Sequence, residues 1–291
     1  MMSKHQQGIL AAIATGLVWS VLSLALKSAL VFADPATISW VRLFLGAVFL
    51  FLYFSFKNIR FYEEIPRFSW LVIPAGIGLA GNFLGFVFGI GKTGAGHATL
   101  LIQLGTLLLS ISSLWFFKEK LKPIQKWGIL LAFIGFACFH FFQSQSALQN
   151  GILSDFKIGD LALATGAITW TLWALLHKKM NLMGFHPQKI NTFVFFIASL
   201  ALLPFAQPLS LLNLDFQQWS LILFLSMNSI IGYGCLAFAM ENAPVYQVSL
   251  IVALYPLLTL IYTKNSEPLP TMGIISALLI VLGVVLSTRK K

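Results

Sequence analysis

Leu43 to Tyr53 reads LFLGAVFLFLY, and Phe193 to Phe205 reads FVFFIASLALLPF. Both runs are apolar at odd and even positions alike. Neither fits a membrane β-strand, whose side chains alternate, and both continue too long for one, so helices are the expected element. Working outward, apolar stretches of this kind follow one another almost end to end. A helix crosses the hydrocarbon layer with about 20 apolar residues, so ten spans fit if the loops are short. The spans read as Gly8 to Phe32, Ala36 to Phe56, Trp70 to Ile90, Gly96 to Phe117, Ile124 to Phe142, Asp160 to Leu176, Ile190 to Ala206, Gln218 to Met240, Val245 to Thr263 and Met272 to Leu286.

Composition agrees with an all-α polytopic membrane protein of ten transmembrane helices. The 291 residues are 58% hydrophobic and 10% charged, with a mean hydropathy of +0.86, which leaves too little polar surface to wet a soluble globule. The first apolar run is longer than a signal-peptide core and is followed at once by further spans, so it is expected to be retained. Short loops rich in Lys and Arg stay on the cytoplasmic side. With the N-terminus inside, the cytoplasmic set is Lys4; Lys57, Arg60 and Arg67; Lys118, Lys120, Lys122 and Lys126; Lys178, Lys179 and Lys189; and Arg289, Lys290 and Lys291, fourteen of the 19 basic residues. The expected placement is the inner (plasma) membrane with both termini cytoplasmic. The net charge of +10 follows from this bias and suits anionic lipid heads; nucleic acid is not needed to explain it. Cys138 and Cys235 both fall in apolar spans and behave as small hydrophobes.

The two halves of the chain resemble each other. Ala14-Thr15-Gly16 with Trp19 opens the first span, and Ala164-Thr165-Gly166 with Trp170 opens the sixth, 150 residues later. Ala95 to Ser110 overlays Ala243 to Leu258 at an offset of 148. Two five-helix repeats, residues 1–150 and 151–291, are the expected domains. An odd number of spans per repeat turns the halves upside down relative to each other, the inverted design of secondary transporters.

Gly16-Leu17-Val18-Trp19, Trp40-Val41-Arg42-Leu43-Phe44, the stretch Ala95 to Lys122 ending in Lys118-Glu119-Lys120-Leu121, Gly159-Asp160-Leu161, and Leu254-Tyr255-Pro256-Leu257 are each short signals. In their order and spacing from Gly8 to Leu286, the chain resembles the ten-span EamA-type exporters of the drug/metabolite transporter superfamily. The resemblance implies a central cavity surrounded by spans one, three, four, six, eight and nine. The family usually places a proline midway along span four, where this chain has Thr106, whereas Pro256 keeps it in span nine. The two halves are therefore expected to bend unequally.

The nine carboxylates, Asp34, Glu63, Glu64, Glu119, Asp155, Asp160, Asp215, Glu241 and Glu267, all fall in loops or at span ends. Proton-coupled pumps commonly bury one in the membrane, so facilitated diffusion or exchange is favoured over proton antiport. Asp160 reads as the cap that begins span six. Lys27, Arg42 and His97 are the possible charge partners for a substrate, with snorkelling or a structural anchor as the plainer role for the two cations. His97, His140 and His177 lie at span ends without metal-ligand spacing, and no metal or cofactor is assigned. The candidate substrate-binding residues are the mid-span polar and aromatic side chains Trp19, Ser23, Asn82, Gln103, Trp170, Asn228, Tyr233, Gln247 and Tyr255, which in hydrocarbon must find a partner or line a wet cavity.

Gly91-Lys92-Thr93 lacks the first glycine of a phosphate loop, since position 86 is Phe86. No nucleophile elbow or zinc-protease motif occurs either, so an enzyme is not expected. The expected function is secondary transport of a small metabolite, an amino acid or similar amphipathic solute, outward by alternating access. Its partners are that solute and the lipid bilayer, and the oligomeric state is left open, a monomer included. A proton-driven multidrug exporter and a non-transporting scaffold or lipid-handling protein are the alternatives.

Overall fold

The computed structural model describes residues 2–57, 65–118, 121–149, 153–263 and 271–288. Glu63, Glu64, Glu119 and Glu267, and the basic residues Arg60, Lys120, Lys264, Arg289, Lys290 and Lys291, lie outside them. The described chain is α-helical: α1 Lys4–Ser20, α2 Leu22–Ala29, α3 Pro35–Phe56, α4 Ile65–Thr93, α5 Ala95–Leu101, α6 Leu104–Phe116, α7 Pro123–Gln149, α8 Leu153–Leu182, α9 Pro187–Leu202, α10 Phe216–Asn242, α11 Val245–Val252, α12 Tyr255–Thr263 and α13 Thr271–Thr288. Two short 3-10 turns, Leu203–Phe205 and Pro208–Asn213, separate α9 from α10.

Taking α1 with α2, α5 with α6 and α11 with α12, nine helices among the described residues are long and apolar enough to cross a bilayer, and a shorter apolar stretch, Thr271–Gly283, lies in α13. Large apolar side chains such as Leu17, Trp70, Ile77, Leu161 and Leu278 stand exposed on their outer faces. In water that surface would aggregate; against lipid tails it is at rest. This is an all-α polytopic membrane protein.

Local chemistry sets where the helices start. Ser3 and Gln6 form a capping box on α1, and Asp215 with Gln218 forms another on α10. Asp34 accepts from the amides of Ala36 and Thr37, with Pro35 in the first turn of α3. Asp160, by contrast, caps nothing. The helix that contains it begins at Leu153, because α8 runs about two turns further than the apolar pattern.

Among the described residues, three membrane-spanning helices are interrupted. The first turns at Val21, the fourth at Ile102 and Gln103, and the ninth at Ala253 and Leu254. In the fourth, the amides of Gln103 and Gly105 bond the carbonyls of Leu100 and Ile102; in the ninth, those of Leu254 and Leu257 bond Ile251 and Leu254. These are the same tightened i to i+3 turns. Span four therefore breaks without a proline, against the expectation of unequal bending. At its break Gly105 presses on α8, where a Cβ would come 2.9 Å from the carbonyl oxygen of Ala167. Close helix approach at that point takes the place of the ring of Pro256, which sits in the first turn of α12.

The carbonyls around the first break are satisfied from other helices. Asn228 of α10 donates to Val18 at 2.6 Å, and the Thr259 hydroxyl of α12 donates to Ser20 at 2.7 Å. α4 packs along α8, α1 along α10, α3 against α9 and α7 against α13. Gly81, Gly85 and Gly89 form the α4 face toward α8: a Cβ on Gly85 would stand 2.5 Å from the Ala162 carbonyl, and one on Gly89 2.4 Å from Leu163.

Candidate functional site

A cavity lies where the interrupted helices meet. α1 and α2 contribute Trp19 and Leu22, α3 contributes Arg42, and α4 contributes Asn82, Phe83 and Phe86. The break between α5 and α6 supplies Ile102 and Gln103, with Thr106 one turn on; Trp170 of α8, Tyr233 of α10 and Tyr255 of α12 complete the wall. The room inside is about 40 Å³. A single water takes roughly 10–15 Å³ on this scale, so the site is narrow.

The walls are aromatic. Trp19 lies 5.1 Å from Tyr233 and 6.0 Å from Tyr255, centroid to centroid, and Phe83 lies 5.6 Å from Tyr233. Trp19 is seated on Gly232 of α10, where a Cβ would fall 2.1 Å from its indole nitrogen; this is one of the places where only glycine fits. Tyr233 donates to Asn82 Oδ1 at 3.1 Å, and Asn82 Nδ2 donates to the Gly166 carbonyl at 3.1 Å. That chain ties α10, α4 and α8 together behind the cavity.

Arg42 is 2% exposed. Its guanidinium donates to Ser229 Oγ at 3.0 Å and stands 4.5 Å above the Phe83 ring. Among the described residues no carboxylate pairs with it. Three buried polar atoms of the lining have no hydrogen-bond partner: Trp19 Nε1, Arg42 Nε and Gln103 Nε2. All three are donors. A buried cation with one unused N–H of its own, beside two more from Trp19 and Gln103, makes a site suited to an acceptor-rich, negatively charged group.

Of the nine residues proposed from sequence for substrate binding, Trp19, Asn82, Gln103, Trp170, Tyr233 and Tyr255 line this cavity. Ser23 is buried in α2 but does not line it. Asn228 is spent on the Val18 carbonyl. Gln247 lies in the first turn of α11, bonded to His5 at 2.9 Å and to the Tyr246 hydroxyl at 3.1 Å, and faces a separate groove near the N-terminus. Of the charge partners, Arg42 reaches the cavity; Lys27 is exposed in the last turn of α2, and His97 is bonded to Asp160 at 2.7 Å near one end of the bundle. His177 is fully buried in α8 beside Trp173, 5.2 Å away, because α8 extends past the expected end of span six. Leu22, Phe83, Phe86 and Ile102 were not singled out as candidates, since apolar wall residues look like any other core residue until the helices are assembled; Thr106, noted only for its place at the family's proline position, spends its hydroxyl on the Gln103 carbonyl.

The model of the EamA-like transporter family matches residues 6–140 and again 157–289. The chain belongs to the EamA-like transporter family. Membership makes it a multi-pass membrane transporter of the drug/metabolite transporter superfamily and not an enzyme. An "Uncharacterized transporter" of Haemophilus influenzae is 27% identical over 96% of this chain and 94% of its own length. The "Uncharacterized inner membrane transporter YhbE" of Escherichia coli K12 is 28% identical over 88% and 80%. One solved crystal structure superposes with a TM-score of 0.74 at 19% identity, covering 97% of this EamA-family chain and 96% of the other, a likeness of fold.

Proposed function

We propose that this EamA-family protein carries a small amphipathic solute bearing a carboxylate, an amino acid being the simplest that fits, and exports it across the inner membrane by alternating access. The observation that carries the reading is Arg42, a buried cation without a carboxylate partner among the described residues, on a cavity whose other unpaired groups are donors. The solute's carboxylate would meet Arg42, Gln103 and the Trp19 indole, while Tyr255, Trp170 and Phe83 bury its apolar part. A narrow cavity of about 40 Å³ must widen to take a solute. Loading and release require the helices to part first on one side and then on the other.

Two inverted five-span repeats would supply that motion, with α13 as the tenth span. The family model's two matches, each nearly half the chain, support the reading. So do the helix pairings. Exchanging the first five spans for the second maps the pair of third and sixth onto the pair of eighth and first, and returns the second–seventh and fifth–tenth pairs to themselves. α12 also begins 151 residues after α6, from Leu104 to Tyr255, so the interruptions in spans four and nine correspond. The Lys and Arg distribution supports cytoplasmic termini. Among the described residues no carboxylate lines the cavity, which favours exchange or facilitated diffusion over proton-driven multidrug export.

Counterflow into proteoliposomes tests this. Purified protein is offered labelled amino acids alongside their carboxamides, with and without pH and electrical gradients. Saturable flux of the acids, lost for the carboxamides and persisting with both gradients collapsed, is the expected result. Equal flux of acid and carboxamide would remove Arg42 from substrate recognition, and flux that needs a pH gradient would restore proton coupling.

A further inference from the structure

At the end of the bundle where α5 and α8 begin and α7 approaches its close, folding assembles a cluster that no spacing in the sequence announces. His97 of α5, His140 of α7 and Asp160 of α8 offer three ligand atoms that all lie within 4.8 Å of one another. His97 Nε2 stands 2.7 Å from Asp160 Oδ1, and His140 Nδ1 stands 3.7 Å from Asp160 Oδ2. We propose that these residues form a binding site for a divalent transition cation of the zinc class.

A plain His97–Asp160 hydrogen bond does not account for the arrangement. The His140 side chain is 43% exposed, yet its Nδ1 is buried and without a hydrogen-bond partner, turned toward the carboxylate oxygen that His97 leaves unused. At 3.7 Å it is too far to hydrogen-bond. Ligand bonds of roughly 2.0–2.2 Å place neighbouring tetrahedral ligands roughly 3.4 Å apart. The His140–Asp160 gap is close to that edge; His97 and Asp160, hydrogen-bonded at 2.7 Å, must part by roughly 0.7 Å as the ion replaces the shared proton, and a rotamer adjustment of the half-exposed His140 brings the third pair in. The His97 side chain is 4% exposed and also keeps an unpartnered ring nitrogen, Nδ1. Phe156, centred 4.3 Å from the His97 ring, and Phe139 shield the site on one side and lower its dielectric.

The donor set selects the metal. Two imidazoles and one carboxylate suit Zn2+ and its neighbours in the first transition row; Mg2+ and Ca2+ want more oxygens than the cluster has. With three protein ligands one position stays open to water. The three ligands sit on spans four, five and six. An ion there ties together helices that the transport reading requires to separate at that end, so occupancy would slow the carrier; this consequence, unlike the binding, rests on the proposed transport function.

Binding is measured on the full chain in detergent by calorimetric titration with ZnCl2, with Co2+ absorption as a second readout of coordination. The expected result is one saturable equivalent of Zn2+ per chain, undisturbed by excess Mg2+ or Ca2+. Loss of a second-sphere partner alone costs roughly 10–100-fold in metal affinity, so His140→Ala, at a half-exposed position, is expected to cost at least that, as is Asp160→Asn. His186→Ala, at the exposed residue that precedes α9, leaves it unchanged. No saturable binding, equal affinity in His140→Ala, or loss of binding in His186→Ala would each overturn the site. Binding that is abolished in His140→Ala while counterflow proves absent would leave the metal site standing and the transport reading fallen.

Discussion

Replacing Arg42 with methionine separates a substrate anchor from a structural one, because the two roles predict opposite signs. In the resting protein the guanidinium makes one hydrogen bond to Ser229 and one cation–π contact with Phe83. A hydrogen bond to a charged group contributes about 1.5–3 kcal/mol and a desolvated cation–π contact about 2 kcal/mol. Against these stands the desolvation of a buried cation, several kcal/mol even after relaxation. The terms nearly cancel. A methionine of similar length fills the space without the desolvation cost, so the melting temperature of the substrate-free protein is expected to hold or rise. With substrate the balance reverses: truncating one partner of a buried, hydrogen-bonded charge pair costs about 2–5 kcal/mol, or roughly 30- to several thousand-fold in affinity. The assay pairs thermal unfolding in detergent, with and without the solute that shows counterflow, with the concentration dependence of counterflow itself. An Arg42→Met protein that melts much lower but transports with unchanged affinity would refute the reasoning and make Arg42 an anchor for α10 through Ser229.

Three further outcomes follow from the packing. Gly232→Ala places a methyl 2.1 Å from the Trp19 indole nitrogen; the ring must swing away, at an overpacking cost of about 1–3 kcal/mol, and counterflow should fall although Gly232 itself does not line the cavity. Unaltered flux would mean that the orientation of Trp19 is irrelevant. Thr259→Val leaves the Ser20 carbonyl beside the first break without its donor, a loss of about 1–3 kcal/mol in thermal stability; a variant as stable as the parent would show that the break finds another partner. In a background with Cys138 and Cys235 replaced, a cysteine at Val31, 86% exposed, should react with an impermeant thiol reagent outside intact cells, and one at Met183, 49% exposed, should not. The reverse labelling pattern would invert the topology.

What was legible beforehand follows from what a bilayer demands. An uninterrupted apolar run such as Leu43 to Tyr53 can cross hydrocarbon only as a helix, so the class and the approximate positions of the nine long apolar helices among the described residues were readable from hydropathy. Polar residues such as Asn82 and Gln103 stood out for the same reason, since in such a run each must be explained. Hydropathy is silent on which neighbour answers each of them. Asn82 turned to Gly166 and Tyr233, Asn228 to the Val18 carbonyl, and Gln247 to His5. Only the first of these borders the cavity.

Apolar runs of membrane-crossing length, with composition in agreement, therefore determined that this chain is a helical membrane protein, and motif order gave its resemblance to EamA-type carriers. Tertiary structure decided the rest: that span four breaks at Gln103 without a proline because Gly105 lets it press on α8, that Arg42 enters an aromatic cavity beside other unpaired donors, and that His97, His140 and Asp160 meet. The physical reason is range. Crossing a membrane is a property of about 20 consecutive residues, whereas Arg42 and Ser229 are 187 positions apart, and side chains from different helices share a site only after packing brings them face to face.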